Sequence, residues 1–330
     1  MKYKLGLLLT ILNLICFAQN KEFTDSEITK ISRVYGFFCG QDLGLNKVKA
    51  KYPELLNDVS IAELKFNLAF GEERIRIKND LESLLGQEKL TLLNNSLLNK
   101  LGGILSNELS KAEALEFIKL VLSRSNGDNI PSPVFETILA YKYKGSPERE
   151  FLDGFTYSFH TKGHEKAKGT DWQIRLPKSW IQSEADRPSI IQKFQSQFNE
   201  HNASIMLLIK NLDQLQKKSV SKDDILAIFE NKSFWGGLEQ EGMKIISTKK
   251  MIIDNQPGGY LEAEQTIERL DYKARVRMAA YAFYRKNQMY ILQGMVFSLD
   301  NSENLEKILD QYRILFKLVA NSVVVNDQYK

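Results

Sequence analysis

The chain has 330 residues, of which 43% are hydrophobic and 26% charged, enough for two separately cored domains and outside the composition of disordered or collagen-like chains. Its 45 basic residues against 41 acidic ones give a net charge of +4 with no long basic run, which argues against a nucleic-acid binder, since such proteins gather positive charge on one face.

At the N-terminus, Lys2 and Lys4 precede the apolar run Leu5 to Ala18, and Cys16-Phe17-Ala18 places small residues where a signal peptidase reads. Cleavage is expected after Ala18, leaving Gln19 first and a secreted or periplasmic chain. The run is shorter than the roughly 20 residues a membrane span needs, and no later stretch is long and apolar enough to span once the leader is gone. Ile15 before Cys16 argues against lipidation. Cys39 is then the one cysteine left, so no internal disulfide can form. It falls on the apolar side of a helix with Val34, Tyr35 and Phe38 and reads as a small buried hydrophobe.

Residues 20–143 read as a helical domain. Thr24-x-x-Glu27, Ser60-x-x-Glu63 and Ser110-x-x-Glu113 each match a capping box. Helical spacing follows each of them. The stripes are Ile28, Ile31, Tyr35 and Phe38, then Leu64, Leu68, Ile75, Leu81 and Leu85, then Leu115, Ile118 and Leu122. Leu90, Leu93, Leu97 and Leu101 form a further helix, with Gly102-Gly103 as its stop. Each stripe is expected to face a shared core. Residues 144–152 are polar, break the pattern and read as a linker.

From residue 153 the period changes to two. Phe155, Tyr157 and Phe159 alternate with polar residues, as do Trp172, Ile174 and Leu176, before Pro177 ends that strand and Trp180 returns a second ring to the core. Residues 190–198 and 203–209 flank a turn containing His201. Residues 243–254 and 260–270 flank Asn255-Gln256-Pro257-Gly258-Gly259, and residues 274–284 and 289–299 flank Lys286-Asn287-Gln288. Strands joined by short turns run antiparallel. A short helix from Ser221 and a final one carrying Leu305, Ile308, Tyr312, Leu315 and Val319 cover the sheet. The class is α+β, an all-helical domain followed by an antiparallel sheet domain over 153–325.

The succession from the Phe-Thr-Tyr strand through Trp172-x-Ile174-x-Leu176-Pro177-x-x-Trp180 continues with Ile191-Gln192-Lys193-Phe194, Ile205-Met206-Leu207, Met251-Ile252-Ile253-Asp254 and Tyr290-x-Leu292. It ends in a helix closing near Ala320-Asn321-Ser322-Val323. Over residues 153–325 it resembles the PsbP/Mog-type fold, shared by the extrinsic PsbP subunit of photosystem II and the Ran-binding Mog proteins. The resemblance implies a protein-docking module without catalysis and carries over no functional residue. Residues 20–150 resemble no family.

Chemistry-bearing patterns are sparse. His160-x-x-x-His164-Glu165 has helical ligand spacing, but its surroundings read as an exposed loop, two nearby lysines repel a cation and no third ligand is fixed, so no metal is assigned. No Gly-x-Ser-x-Gly elbow or phosphate loop is present in the sequence. Glu262 and Glu264 share a strand face and read as its solvent side, with Arg275 and Arg277 opposite them as a cross-strand charge ladder. No catalytic residue and no cofactor follow. The one candidate for partner binding is Phe234-Trp235-Gly236-Gly237-Leu238, a loop whose Trp235 beside flexible glycines could anchor a partner, with Tyr260 nearby. On that reading Trp235→Ala leaves the fold intact and weakens partner capture. The function expected is an exported, non-catalytic docking or accessory module of the cell envelope, its partner an unidentified envelope protein. The alternatives are a small-molecule or lipid carrier with a pocket under the sheet and, behind it, a carboxylate-dependent hydrolase.

Overall fold

The computed structural model describes residues 24–105, 108–198, 203–212, 221–240, 242–268, 273–299 and 302–329. The expected leader, and His201 with its turn, lie outside them. The chain divides into two compact units, one over Glu22–Lys144 and one that includes Gly145–Lys330.

The first unit is helical. Helix α1 (Asp25–Lys51) starts on a capping box in which the Thr24 hydroxyl accepts from the Glu27 N–H at 3.3 Å and the Glu27 carboxylate accepts from the Thr24 N–H at 2.9 Å. Helix α3 (Lys111–Arg124) starts the same way on Ser110 and Glu113. Ser60 is different: it lies inside helix α2 (Leu56–Leu105), so its box does not form. Pro53, at the start of a short 3₁₀ turn, sets that entry instead. The two helices expected between residues 60 and 103 are both present within this span, separated at Gly86, where the backbone leaves helical geometry. There φ is +75° and ψ 158°, a conformation essentially confined to glycine. The helix runs through Gly102 and Gly103.

The face that α2 buries is carried by Val59, Ala62, Phe66, Phe70, Ile77 and Leu81. It packs against α1 and helix α4 (Ser132–Lys142). Edge-on rings set the contact, Phe38 with Phe66 at 6.0 Å and Phe70 with Phe135 at 6.3 Å. Leu64, Leu68 and Ile75, placed by their spacing toward this core, are exposed on the opposite side. Apolar residues at helical spacing make a stripe, but spacing alone does not say which of two stripes turns inward.

The second unit opens with helix α5 (Pro147–Leu152), formed by residues that read as linker; Glu150 and Phe151 of this helix are buried. Strands β1 (Thr156–His160) and β2 (Trp172–Pro177) pair antiparallel and are joined by β10 (Val324–Val325) in a three-stranded sheet, ordered β1-β2-β10. The larger sheet comprises β3 (Ile181–Ser183), β4 (Ile190–Gln195), β5 (Ala203–Asn211), β6 (Met243–Ile253), β7 (Gln256–Glu268), β8 (Lys273–Arg285) and β9 (Gln288–Ser298). Its order is β3-β4-β5-β9-β8-β7-β6, antiparallel throughout.

Both long hairpins close on two residues with positive φ, Asp254-Asn255 and Lys286-Asn287, the backbone of a type I′ turn that suits the strand twist. The first turn therefore falls before the glycines read as belonging to it. Gly258 and Gly259 sit inside β7, where a Cβ would lie 2.0 Å from the Ala282 carbonyl oxygen at Gly258 and 2.7 Å from the Phe229 Cβ at Gly259. They permit close approach rather than a turn.

Helix α8 (Leu305–Asn321) covers one face of the large sheet together with the small sheet, around Trp172, Phe283, Tyr290 and Phe316. Helices α6 (Lys222–Glu230) and α7 (Gly236–Gln240) cover the other, around Phe229, Leu261, Met278 and Met295. Trp172, Ile174 and Leu176 are buried as their alternation requires, and the Trp172 ring stands edge-on to Phe283 at 5.5 Å. Covering both faces has a consequence for the strands: no long face of β7 is left wholly to solvent.

Candidate functional site

Trp235 is not an exposed anchor. It is 1% exposed, its indole N–H donates to the Phe229 carbonyl at 3.0 Å, and its ring meets Phe234 at 5.0 Å and Phe229 at 5.9 Å. Gly236 and Gly237 open helix α7 rather than a mobile loop. The spacing of the loop does not show that its ring folds back beneath the helix that precedes it. A short 3₁₀ turn (Lys232–Trp235) folds the ring back under α6, where it completes a core.

Tyr260 belongs to a different place, the α8 face of the sheet. Its hydroxyl donates to Glu262 at 2.9 Å, and Glu262 accepts from Arg277 Nη2 at 2.6 Å and from Arg313 of α8. Arg277 Nη1 donates to Glu264 at 2.9 Å. Register explains the grouping: Glu264 lies directly opposite Arg277 on β8, with Glu262 two residues along the same face. The expected ladder thus forms around Arg277, while Arg275 donates to the Glu303 carbonyl at 3.1 Å. Glu262 is not on a solvent face, because α8 lies over it; both it and Arg277 have side chains only 7% exposed. Burial pushes the Glu262 carboxyl up, but hydrogen bonds from Arg313 and Arg277 outweigh it and hold the group below the ordinary carboxylate range. Burial, and then the neighbouring Glu262, push the Tyr260 hydroxyl up to about 12. A carboxylate satisfied by two guanidinium groups and a phenol has no proton to give at neutral pH and no free lone pair facing a cleft. Its chemistry is structural.

A second buried carboxylate is tuned the other way. Glu150 of α5 accepts from the Ser179 N–H at 2.7 Å and the Ser179 hydroxyl at 2.6 Å, in a position 1% exposed. Burial dominates these hydrogen bonds and raises its pKa to about 7. The folded chain therefore holds this proton up to about pH 7, while the unfolded chain releases it near 4.5. Stability is expected to fall by about 3 kcal/mol as pH rises through that window and to level off above it. Glu150→Gln carries no charge at any pH, so its denaturant-unfolding free energy at pH 5 and pH 8 should lack this difference; an unchanged slope would refute the assignment.

His160 is exposed at the end of β1, and His164 packs edge-on to Phe159 at 6.5 Å. Among the described residues no group of three or more His, Cys, Asp or Glu side chains is set to hold a metal, and no helix is long and apolar enough to cross a membrane. Burial raises the pKa of the Cys39 thiol, which disfavours the thiolate. A groove of about 290 Å³ between α1 and α2 is lined by Asp42, Glu63 and Arg74 among others. Its charges are already paired, Arg74 with Asp42 and Lys49 with Glu63 at 2.7 Å.

The feature that spacing did not assign to the surface is the outer face of α2. Ile61, Leu64, Leu68 and Ile75 are 49%, 61%, 79% and 62% exposed. At 3.6 residues per turn they share one side of the helix, opposite Val59, Phe66, Phe70 and Ile77. Lys65 and Glu72 flank them. Single exposed leucines are ordinary, but an aligned row of four on one helix is an unpartnered apolar face. The signal was present in the sequence as too many apolar positions for one stripe.

No protein-family model matches the chain, and no curated protein does. Among solved structures it is similar to cyanobacterial PsbP (CyanoP) from Synechocystis sp. PCC 6803, with 15% identity and a TM-score of 0.33, over 52% of this chain and 92% of that one. It is also similar to LpqN of Mycobacterium tuberculosis, a protein involved in cell envelope biogenesis, with 8% identity and a TM-score of 0.31, over 54% and 96%.

Proposed function

We propose that this chain is an exported, non-catalytic accessory module of the cell envelope that acts by docking to protein, and that the docking face is the outer side of α2. The observation that carries the reading is the aligned, exposed row Ile61, Leu64, Leu68 and Ile75. Two further features support it. The charged side chains that a catalytic reading would use, Glu262, Glu264 and Arg277, are bound to one another. The apolar run ending at Ala18 has the form of a leader that is removed on export.

Leu68→Glu tests the reading. The side chain is exposed, so the melting temperature should hold within a few degrees. Capture of envelope protein by the chain beginning at Gln19 should fall at least tenfold. Equal capture by the two proteins would refute docking through this face.

A further inference from the structure

The outer face of α2 follows a seven-residue rhythm. Ile61, Leu68 and Ile75 are seven apart, with Leu64 and Gly71 between them at the alternate position of a heptad. Leu68 between the two isoleucines and Gly71 in the place of a second leucine depart from the isoleucine–leucine alternation of a parallel two-helix coil. Gly71 fits no need of its own chain. It lies within α2 away from the Gly86 break, its φ is not positive, and a Cβ there would meet only the Asn67 Cβ, at 3.7 Å. A glycine inside a helix costs about 1 kcal/mol relative to alanine, so its place in the seam calls for something that approaches from outside.

We infer that this face pairs with the same face of a second copy of the chain, the two α2 helices running antiparallel across a two-fold axis near residues 69 and 70. This rests on the reading of α2 as a docking face and names the occupant. In that register Leu68 of one copy fills the space over Gly71 of the other, and Leu64 meets Ile75, while Ile61 falls opposite Lys78 at the edge of the seam. Each contact occurs twice, as an isologous interface requires. The flanking charges fit as well: Lys65 of one copy comes beside Glu72 of the other, on both sides of the axis. Both side chains are exposed, and Glu72 is paired with Arg76 of its own helix at 3.0 Å.

The competing arrangements fit less well. Sliding the antiparallel pair by seven residues sets Lys65 against Lys65 and Ile75 against Asn57. A parallel pair puts Gly71 against Gly71 and leaves a gap. Charge and shape select one register from the same fifteen residues.

The seam spans about 20 Å of helix, so the dimer should be of modest affinity, with a Kd on the order of 10–100 μM. Sedimentation velocity of the chain beginning at Gln19, from about 5 μM to about 500 μM, should show a monomer–dimer equilibrium. Leu68→Glu should weaken it at least about tenfold. Lys65→Glu and Glu72→Lys, each alone, place like charges across the axis and should weaken it about five- to tenfold. The two together restore opposite charges and should return the Kd to within about threefold. Circular dichroism and thermal melting of each variant should match the parent, since all three positions are exposed. A monomer at every concentration overturns the inference, as does a dimer indifferent to Leu68→Glu or a charge swap that fails to rescue. A monomeric parent whose capture of envelope protein still depends on Leu68 would overturn the second copy while leaving the docking face standing.

Discussion

Glu262→Ala destabilises the sheet unit by about 3–5 kcal/mol, the usual cost of removing one partner from a buried ion pair. The reason lies in what stays behind. Arg277 keeps the Glu264 contact at 2.9 Å and a distant one to Glu306 at 3.5 Å, but its Nη2 and Nε lose their closest acceptor in a site where the side chain is 7% exposed. Arg313 keeps Asp310 at 3.0 Å and reaches water, so its share of the loss is smaller. Replacing the pair together, Glu262→Leu with Arg277→Met, removes the uncompensated charge and should recover most of the stability. Acid has the same direction as the single mutation. The folded pKa of Glu262 lies below its unfolded value, so its contribution is present above about pH 4.5 and is lost as pH falls through the folded pKa. Chemical denaturation of the single and double variants at pH 7 checks this. A single variant within 1 kcal/mol of the parent, or a double variant no better than the single, would show that the cluster does not hold α8 to the sheet.

Alternation and turn chemistry made the second unit legible from its residues. Trp172, Ile174 and Leu176 had to share one side of a strand, and the polar breaks near residues 255 and 287 had to close hairpins. What they could not show was that helices lie on both faces of the large sheet. That one fact turns Glu262 from a solvent-facing carboxylate into a buried one, and it encloses Trp235. Both errors have the same origin, because a period of two says which residues share a side and nothing about what covers that side. The glycines at 258 and 259 misled for a related reason: glycine marks close approach as often as it marks a turn. In the helical unit the limit was different. Helix α2 carries two opposed apolar stripes, and a search for one stripe assigns residues to the wrong one. Inward burial went to the aromatic row, Phe66 and Phe70, whose rings reach Phe38 and Phe135. Leu64 and Leu68 of the recognised stripe were left outside, while Leu81 went inward.

Trp235→Ala should cost about 3–5 kcal/mol, the range for deleting a large aromatic side chain from a core, in place of the intact fold that an exposed ring would have left. The ring is enclosed by Phe229 and Phe234 and sits in the cluster that contains Leu238, Met243 and Ile245, so its removal opens a cavity beneath α6 and α7. The lost indole N–H also leaves the Phe229 carbonyl, at the end of α6, without its partner at 3.0 Å. Trp235→Phe keeps most of the volume and loses the hydrogen bond, and should cost about 1–2 kcal/mol. The ordering separates packing from the hydrogen bond: if the Phe variant falls as far as Ala, the bond dominates, and if both hold the parent's stability, the ring is not part of the core. Because α6 presses Phe229 against Gly259 of β7, loosening this corner should also raise amide exchange along β6 and β7 before it affects β4 and β5. Uniform exchange across the sheet would mean that the corner and the sheet centre unfold as one cooperative unit.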